Sequence, residues 1–328
     1  MNLIPKAVAL AALIATAGVA QAQVIKIDGS STVYPITEGV AEDFQKLKKN
    51  VIKVTVGISG TGGGFKKFCR GETDIQDASR PILEKEMADC RAAGVEYVEL
   101  PVAFDALTVV MNPKNTFLKS ITVDELKKMW EPGAQGKVTK WNQINPAWPD
   151  APMKLFGPGA DSGTFDYFTE AVVGKSKSSR GDFTASEDDN VLVTGVSRDV
   201  NGLGYFGYAY YIENKDKLRA VPIVNKQGQP VEPSMEAVLK GSYQPLSRPI
   251  FIYVNAKSLE KPEVKEFVEF YMKSGGKLAR EVKYVPLPDS AYKSALEHVQ
   301  KGKKGTVFGG VAEVGVTIEE LLKREASL

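Results

Sequence analysis

Apolar positions along this chain change period in a repeating order. Val24, Ile25 and Ile27 around Lys26 predict a short strand, and a hydroxyl-rich turn, Asp28-Gly29-Ser30-Ser31-Thr32, follows it. Val33, Ile36, Val40, Phe44 and Leu47 then step by three and four with charged residues between them, which predicts an amphipathic helix. The order recurs at once. A strand over 52–58 runs into Ser59-Gly60-Thr61-Gly62-Gly63-Gly64 and a short helix over 65–70. Two strand, turn, helix units in succession predict parallel α/β structure, in which ligands bind at the carboxyl ends of strands.

Farther along, a helix is predicted over 83–93, closed by Gly94. Two apolar runs ending in Asn, 106–112 and 249–255, read as a matched pair of crossing strands. Between them Thr122 and Glu125 have capping-box spacing. A strand over 153–156 leads into a third such turn, Ser162-Gly163-Thr164, and a helix carrying Phe165, Phe168, Val172 and Val173. A domain inserted between crossing strands would bring both chain ends into one lobe and turn all three turns to one cleft. The aromatic run Tyr205, Phe206, Tyr208, Tyr210 and Tyr211 reads as core and hinge packing.

Residues 1–22 form a different pattern: Lys6, an apolar run from Ala7 to Val19, then Ala20-Gln21-Ala22, as in an export signal cleaved before Gln23. The run is too short to span a bilayer. An oxidising destination makes a Cys69–Cys90 disulfide the expectation, with two buried thiols as its alternative. The whole chain has 328 residues, about two domains' worth. Its 42 Lys and Arg against 40 Asp and Glu, with no long run of one sign, argue against nucleic-acid binding. Two cysteines and one histidine are too few for a zinc or iron–sulfur centre. His298 stands among Lys293, Lys301 and Lys303 on a stretch that reads as solvated, a poor place for a catalytic triad.

The three turns carry the chemistry. A helix amino terminus offers unpaired N–H groups and partial positive charge, Ser and Thr add neutral donors, and Gly lets backbone approach a ligand. One such turn is an ordinary cap; three on the strand-to-helix side point to one shared anion. Gly64-Phe65-Lys66 is not the Gly-Lys-Ser/Thr of a nucleotide loop. Arg80, before Pro81, could grip two oxygens of a tetrahedral anion. Asp105, in an apolar stretch, is an acceptor suited to an anion that keeps a proton.

Four segments, Ile27 to Phe44, Gly57 to Pro81, Pro101 to Pro113 and Gly159 to Phe168, resemble the periplasmic phosphate-binding proteins of Pst-type ABC transporters. The resemblance, over about Val24 to Pro288, implies a type II periplasmic binding protein: α/β, two lobes, mixed sheets with helices on both faces, two hinge strands. Lobe 1 would be 23–108 and 250–328, and lobe 2 the inserted 109–249. It implies a non-catalytic receptor without cofactor, periplasmic and monomeric, that delivers inorganic phosphate to permease subunits. Ligand contacts carry over to Ser31, Thr32 and the Val33 N–H, to Ser59, Thr61 and Gly62, and to Ser162, Gly163 and Thr164. The chain departs from the best-studied branch in two places. Arg80 stands where that branch has Asp, and Pro158 and Gly159 stand where it has Arg. Arg80 is therefore assigned the guanidinium and Asp105 the acceptor, with Asp77 and Asp161 in reserve. Other oxyanions (sulfate, molybdate, phosphite) and a secreted phosphatase are the rival functions.

Overall fold

A computed structural model describes residues 23–160, 162–311 and 313–327. The leader expected at 1–22 and the reserve acceptor Asp161 lie outside the described residues. The first part of the chain gives β1 (Gln23–Gly29), α1 (Tyr34–Leu47), β2 (Ile52–Ile58), α2 (Gly60–Phe68), β3 (Ile75–Ala78), α3 (Glu84–Ala92) and β4 (Tyr97–Met111). Next come β5 (Ile121–Thr122), α4 (Val123–Trp130), β6 (Lys154–Pro158), α5 (Gly163–Val173), β7 (Thr184–Ser186), α6 (Asp189–Arg198), β8 (Gly202–Gly207) and α7 (Tyr208–Glu213). Three two-residue strands, β9 (Arg219–Ala220), β10 (Ile223–Val224) and β11 (Pro230–Val231), precede α8 (Met235–Leu239). β12 (Ser247–Asn255), α9 (Pro262–Glu281), α10 (Asp289–Lys301) and α11 (Ile318–Glu325) complete the chain.

The main sheet has the order β2-β1-β3-β12-β4-β8-β6-β7, with β9 also on β4. β4 explains how one sheet serves two halves. All fifteen of its residues are buried; Tyr97 to Ala106 pair antiparallel with β12, and Leu107 to Met111 pair antiparallel with β8. The two apolar runs read as partners are therefore not in register. Pro249 to Asn255 lie beside Phe104 back to Tyr97, while the run after Ala106 continues into the second half. Strands buried on both faces read as mainly apolar runs without alternation, so their pattern marks burial and leaves pairing open.

Local corrections have local causes. α2 begins at Gly60, five residues before the predicted start, and takes the glycine run into its first turns. A Cβ on Gly64 would collide with the Gln76 side chain and the Gly29 Cα, so glycine is what lets this helix end lie against β1 and β3. In α1, Ile36, Val40 and Phe44 are buried as predicted, but Leu47, at the helix end before left-handed Lys49 and Asn50, is 62% exposed. Phe44 packs edge-on to Phe267 of α9 at 5.3 Å. Tyr205 stacks on Phe168 at 3.7 Å and abuts Trp130, so this part of the aromatic run is core; Tyr208, Tyr210 and Tyr211 are only half-buried. His298 is buried, against the solvated reading, because α11 covers it and brings Glu325 to 3.3 Å from Nδ1. Cys69 and Cys90 form a disulfide joining the end of α2 to α3.

Candidate functional site

The turns after β1, β2 and β6 each open a helix, α1, α2 and α5. In two of them the serine hydroxyl is spent on the turn itself: Ser30 Oγ accepts from the Thr32 N–H and Ser162 Oγ from the Thr164 N–H, both at 3.1 Å. That holds the two threonines inward, where Thr32 Oγ1 and Thr164 Oγ1 meet at 3.0 Å, one from each half of the molecule. Thr61 Oγ1 stands 3.0 Å from Ser79 Oγ and accepts from the Ser79 N–H at 3.1 Å. Gly163 fits against this pair so closely that a Cβ there would come within 3.0 Å of both hydroxyls. The structure thus brings Thr32, Val33, Thr61, Gly62, Ser162, Gly163 and Thr164 to one buried place, with Ser31 half-buried at its side. Ser59 is set apart: its hydroxyl donates to Asp28, which Lys67 also holds at 2.7 Å.

Two arginines reach the site, each about 1% exposed. Arg80 is fully engaged along one edge, with Nη1 and Nη2 donating to the two Glu86 oxygens at 2.9 and 2.8 Å, and Nε donates to Asp166 Oδ2 at 2.9 Å. Burial works against its charge, but Glu86 and Asp166 outweigh burial and raise its pKa. The second, Arg248 at the start of β12, was not anticipated. It donates to Asp105 Oδ2 at 3.0 Å, Thr164 Oγ1 at 2.8 Å, Gly163 O at 2.9 Å and Thr32 Oγ1 at 3.5 Å. The signal for it was in the sequence: Ser247-Arg248-Pro249 repeats Ser79-Arg80-Pro81.

Asp105 is consequently the partner of Arg248, while its Oδ1 is buried without a hydrogen bond beside Gly207. Asp77 is buried beneath Thr37, and desolvation pushes its carboxyl well above the ordinary range. Asp189, the first residue of α6, is a further carboxylate that sequence reasoning passed over. It is 4% exposed, and burial together with the neighbouring Asp105 charge pushes it up to about 7. Lys177 is the other unforeseen group; its Nζ lies 3.8 Å from Asp166 Oδ1 and donates to Ala160 O at 3.4 Å. Nothing in Lys175-Ser176-Lys177-Ser178 distinguishes it from a surface lysine.

Three helix ends, neutral hydroxyls and two paired guanidiniums are suited to holding a small anion without a free cation. A cavity of about 740 Å³, lined by Thr122, Glu170, Lys226 and Gln244 among others, contains none of these groups. A family model described as the PBP superfamily domain matches residues 15–274. The protein SphX of Synechococcus elongatus is 55% identical over 93% of this chain and 90% of its own length. The phosphate-binding protein PstS of Staphylococcus haemolyticus is 40% identical over 85% of this chain and 86% of its own. The chain belongs to the PBP superfamily, with SphX and PstS. Among solved structures, a putative phosphate ABC transporter substrate-binding protein with bound phosphate, from Clostridium perfringens, matches at TM-score 0.68 and 26% identity, covering 81% of this chain and 100% of that one. This PBP superfamily protein has the two-lobe type II periplasmic binding fold, and its relatives are binding proteins. Among the described residues no helix is long and apolar enough to cross a membrane.

Proposed function

We propose that the protein captures inorganic phosphate in the periplasm and hands it to the permease subunits of an ABC transporter, without turnover. The observation that carries this reading is the meeting of three strand-to-helix turns from two sheet halves at one buried point, in a chain whose relatives include PstS. The ligand contacts would be Ser31, Thr32 and the Val33 N–H, Thr61 and Gly62, and Ser162, Gly163 and Thr164. Arg80 and Arg248 brace them, Ser59 fixes the second turn through Asp28, and Asp105 remains the acceptor through Oδ1. Residues 23–108 with 250–328 form one lobe and 109–249 the other, hinged where Ala106 pairs with Ser247. Residues 1–22 direct export, and the receptor acts as a monomer.

Calorimetry of unfolded, refolded and thereby ligand-free protein against phosphate, sulfate and molybdate tests the reading. Phosphate should bind with the highest affinity. Tighter binding of sulfate or molybdate would reassign the ligand, and hydrolysis of a chromogenic phosphoester would bring back an enzyme.

A further inference from the structure

Arg80 and Asp166 come from opposite sides of the cleft, Arg80 from the end of β3 and Asp166 from the first turn of α5. Their 2.9 Å contact joins side chains about 1% and 2% exposed. Each also has a second partner on its own side. Arg80 has the two-pronged contact to Glu86 of α3, which is itself held by the Leu83 N–H at 2.9 Å. Asp166 has Lys177, whose Nζ stands 3.8 Å from the oxygen that Arg80 leaves unbonded. Lys177 reaches there from a left-handed backbone, φ 62°, an unusual conformation for lysine, with its N–H tied to Thr169 Oγ1 at 2.7 Å.

A salt bridge serving only the fold has no use for a spare counter-charge at each end. One that must break repeatedly does, because a buried charge left alone is costly. We propose that Arg80–Asp166 is a latch across the cleft that sets the lifetime of the closed form, Glu86 and Lys177 being the resting partners of its two halves once the lobes part. Asp166 is thereby a positioning residue for ligand retention, acting through Arg80. The proposal rests on the phosphate-receptor reading for its ligand and on the two-lobe fold for its motion.

Asp166→Asn keeps the size of the side chain and removes its charge. Stopped-flow phosphate release should quicken by about tenfold or more, with association changed by less than about threefold. Dyes at exposed Lys53 and Lys154 should report a larger open fraction in ligand-free protein. Glu86→Gln should do the reverse and slow release, since it strips Arg80 of its partner in the open form; a network that merely supports the fold would move both variants the same way. Asp166→Ser replaces the first variant if that one does not fold. Unchanged release and unchanged dye distances in the Asp166 variant, or faster release in both variants, would overturn the latch. Failure of the wild-type protein to bind phosphate would instead sink the receptor reading, and the ligand-free dye distances would still decide the latch.

Discussion

Gly163 is a position where the two halves leave no room for a side chain. It is the first residue of α5, and a methyl group on its Cα would press into Ser79 Oγ and Thr61 Oγ1, with Thr61 Cβ at 3.0 Å. None of these is the free end of a long side chain that could swing away. Gly163→Ala must therefore be accommodated by keeping the two halves about an ångström farther apart. That separation weakens the contacts that cross between the halves, Arg80 Nε to Asp166 Oδ2 at 2.9 Å and Thr32 to Thr164 at 3.0 Å. At about 1.5 to 3 kcal/mol for a hydrogen bond to a charged group and about 1 for a neutral one, loss of the pair costs about 3 to 4 kcal/mol. Affinity for phosphate should then fall by about two to three decades. Stability of the ligand-free protein should move the other way or hardly at all, because it can relax by opening and alanine favours the helix by up to about 1 kcal/mol. Calorimetry and urea unfolding of the variant and the parent measure the two quantities. A dissociation constant within about threefold of the parent's would mean that the lobes do not close on Gly163 when phosphate is bound.

Three further outcomes are expected. Reducing Cys69–Cys90, which closes the segment bearing Ser79, Arg80 and Glu86, should lower unfolding free energy by about 3 kcal/mol, read as a shift in denaturant midpoint. Burial raises Glu99 and Asp189 to about 7 each, from 4.5 and 3.8. The folded state thus holds protons that the unfolded state has released, and stability should fall as pH rises from about 5 to about 7, by about 3 kcal/mol per group; Glu99→Gln should flatten part of that slope, and a midpoint that climbs with pH would contradict the assignment. Because Arg80 and Arg248 are buried and paired, raising NaCl from about 10 to about 300 mM should change phosphate affinity by less than about threefold; a steep salt dependence would show that exposed cations carry the binding.

The parts of this site that could be read from sequence were those set by the chain's immediate neighbours. A strand, a hydroxyl turn and a helix are local, and Thr122 with Glu125 formed the capping box its spacing announced. Side-chain direction is not local: Ser59 looked equivalent to Thr61, yet as the N-cap residue of α2 it makes no cap bond and its hydroxyl turns instead to Asp28 on β1. Arg80 was singled out for its residue type, but its two partners come from α3 and α5, and no spacing in the chain relates position 80 to position 166. Arg248 stands one residue before the apolar run over 249–255, where only its likeness to Ser79-Arg80-Pro81 marks it, and Asp189 carries no local signal beyond its acidic neighbours. For Arg80 and Arg248 what was missing was the crossing of the two halves at β4 and β12, a long-range pairing that the mainly apolar pattern of these strands does not encode.

That crossing also decides the electrostatics of recognition. Among the described residues both guanidiniums at the site already have a carboxylate, Arg80 two and Arg248 one, so on the phosphate-receptor reading an anion arriving between the lobes would meet no unpaired guanidinium. What it meets is the open ends of α1, α2 and α5 and a set of hydroxyls that satisfy one another at 3.0 Å while they wait. Such donors are worth little to an ion that stays hydrated, since water offers the same bonds, and much to one that has given up its water and needs every oxygen capped. On the phosphate-receptor reading, geometry would then discriminate where charge does not: threonine hydroxyls held by serine caps and a glycine with no side chain would fix where each oxygen can sit, and an acceptor carboxylate such as Asp105 would favour an anion that brings its own proton.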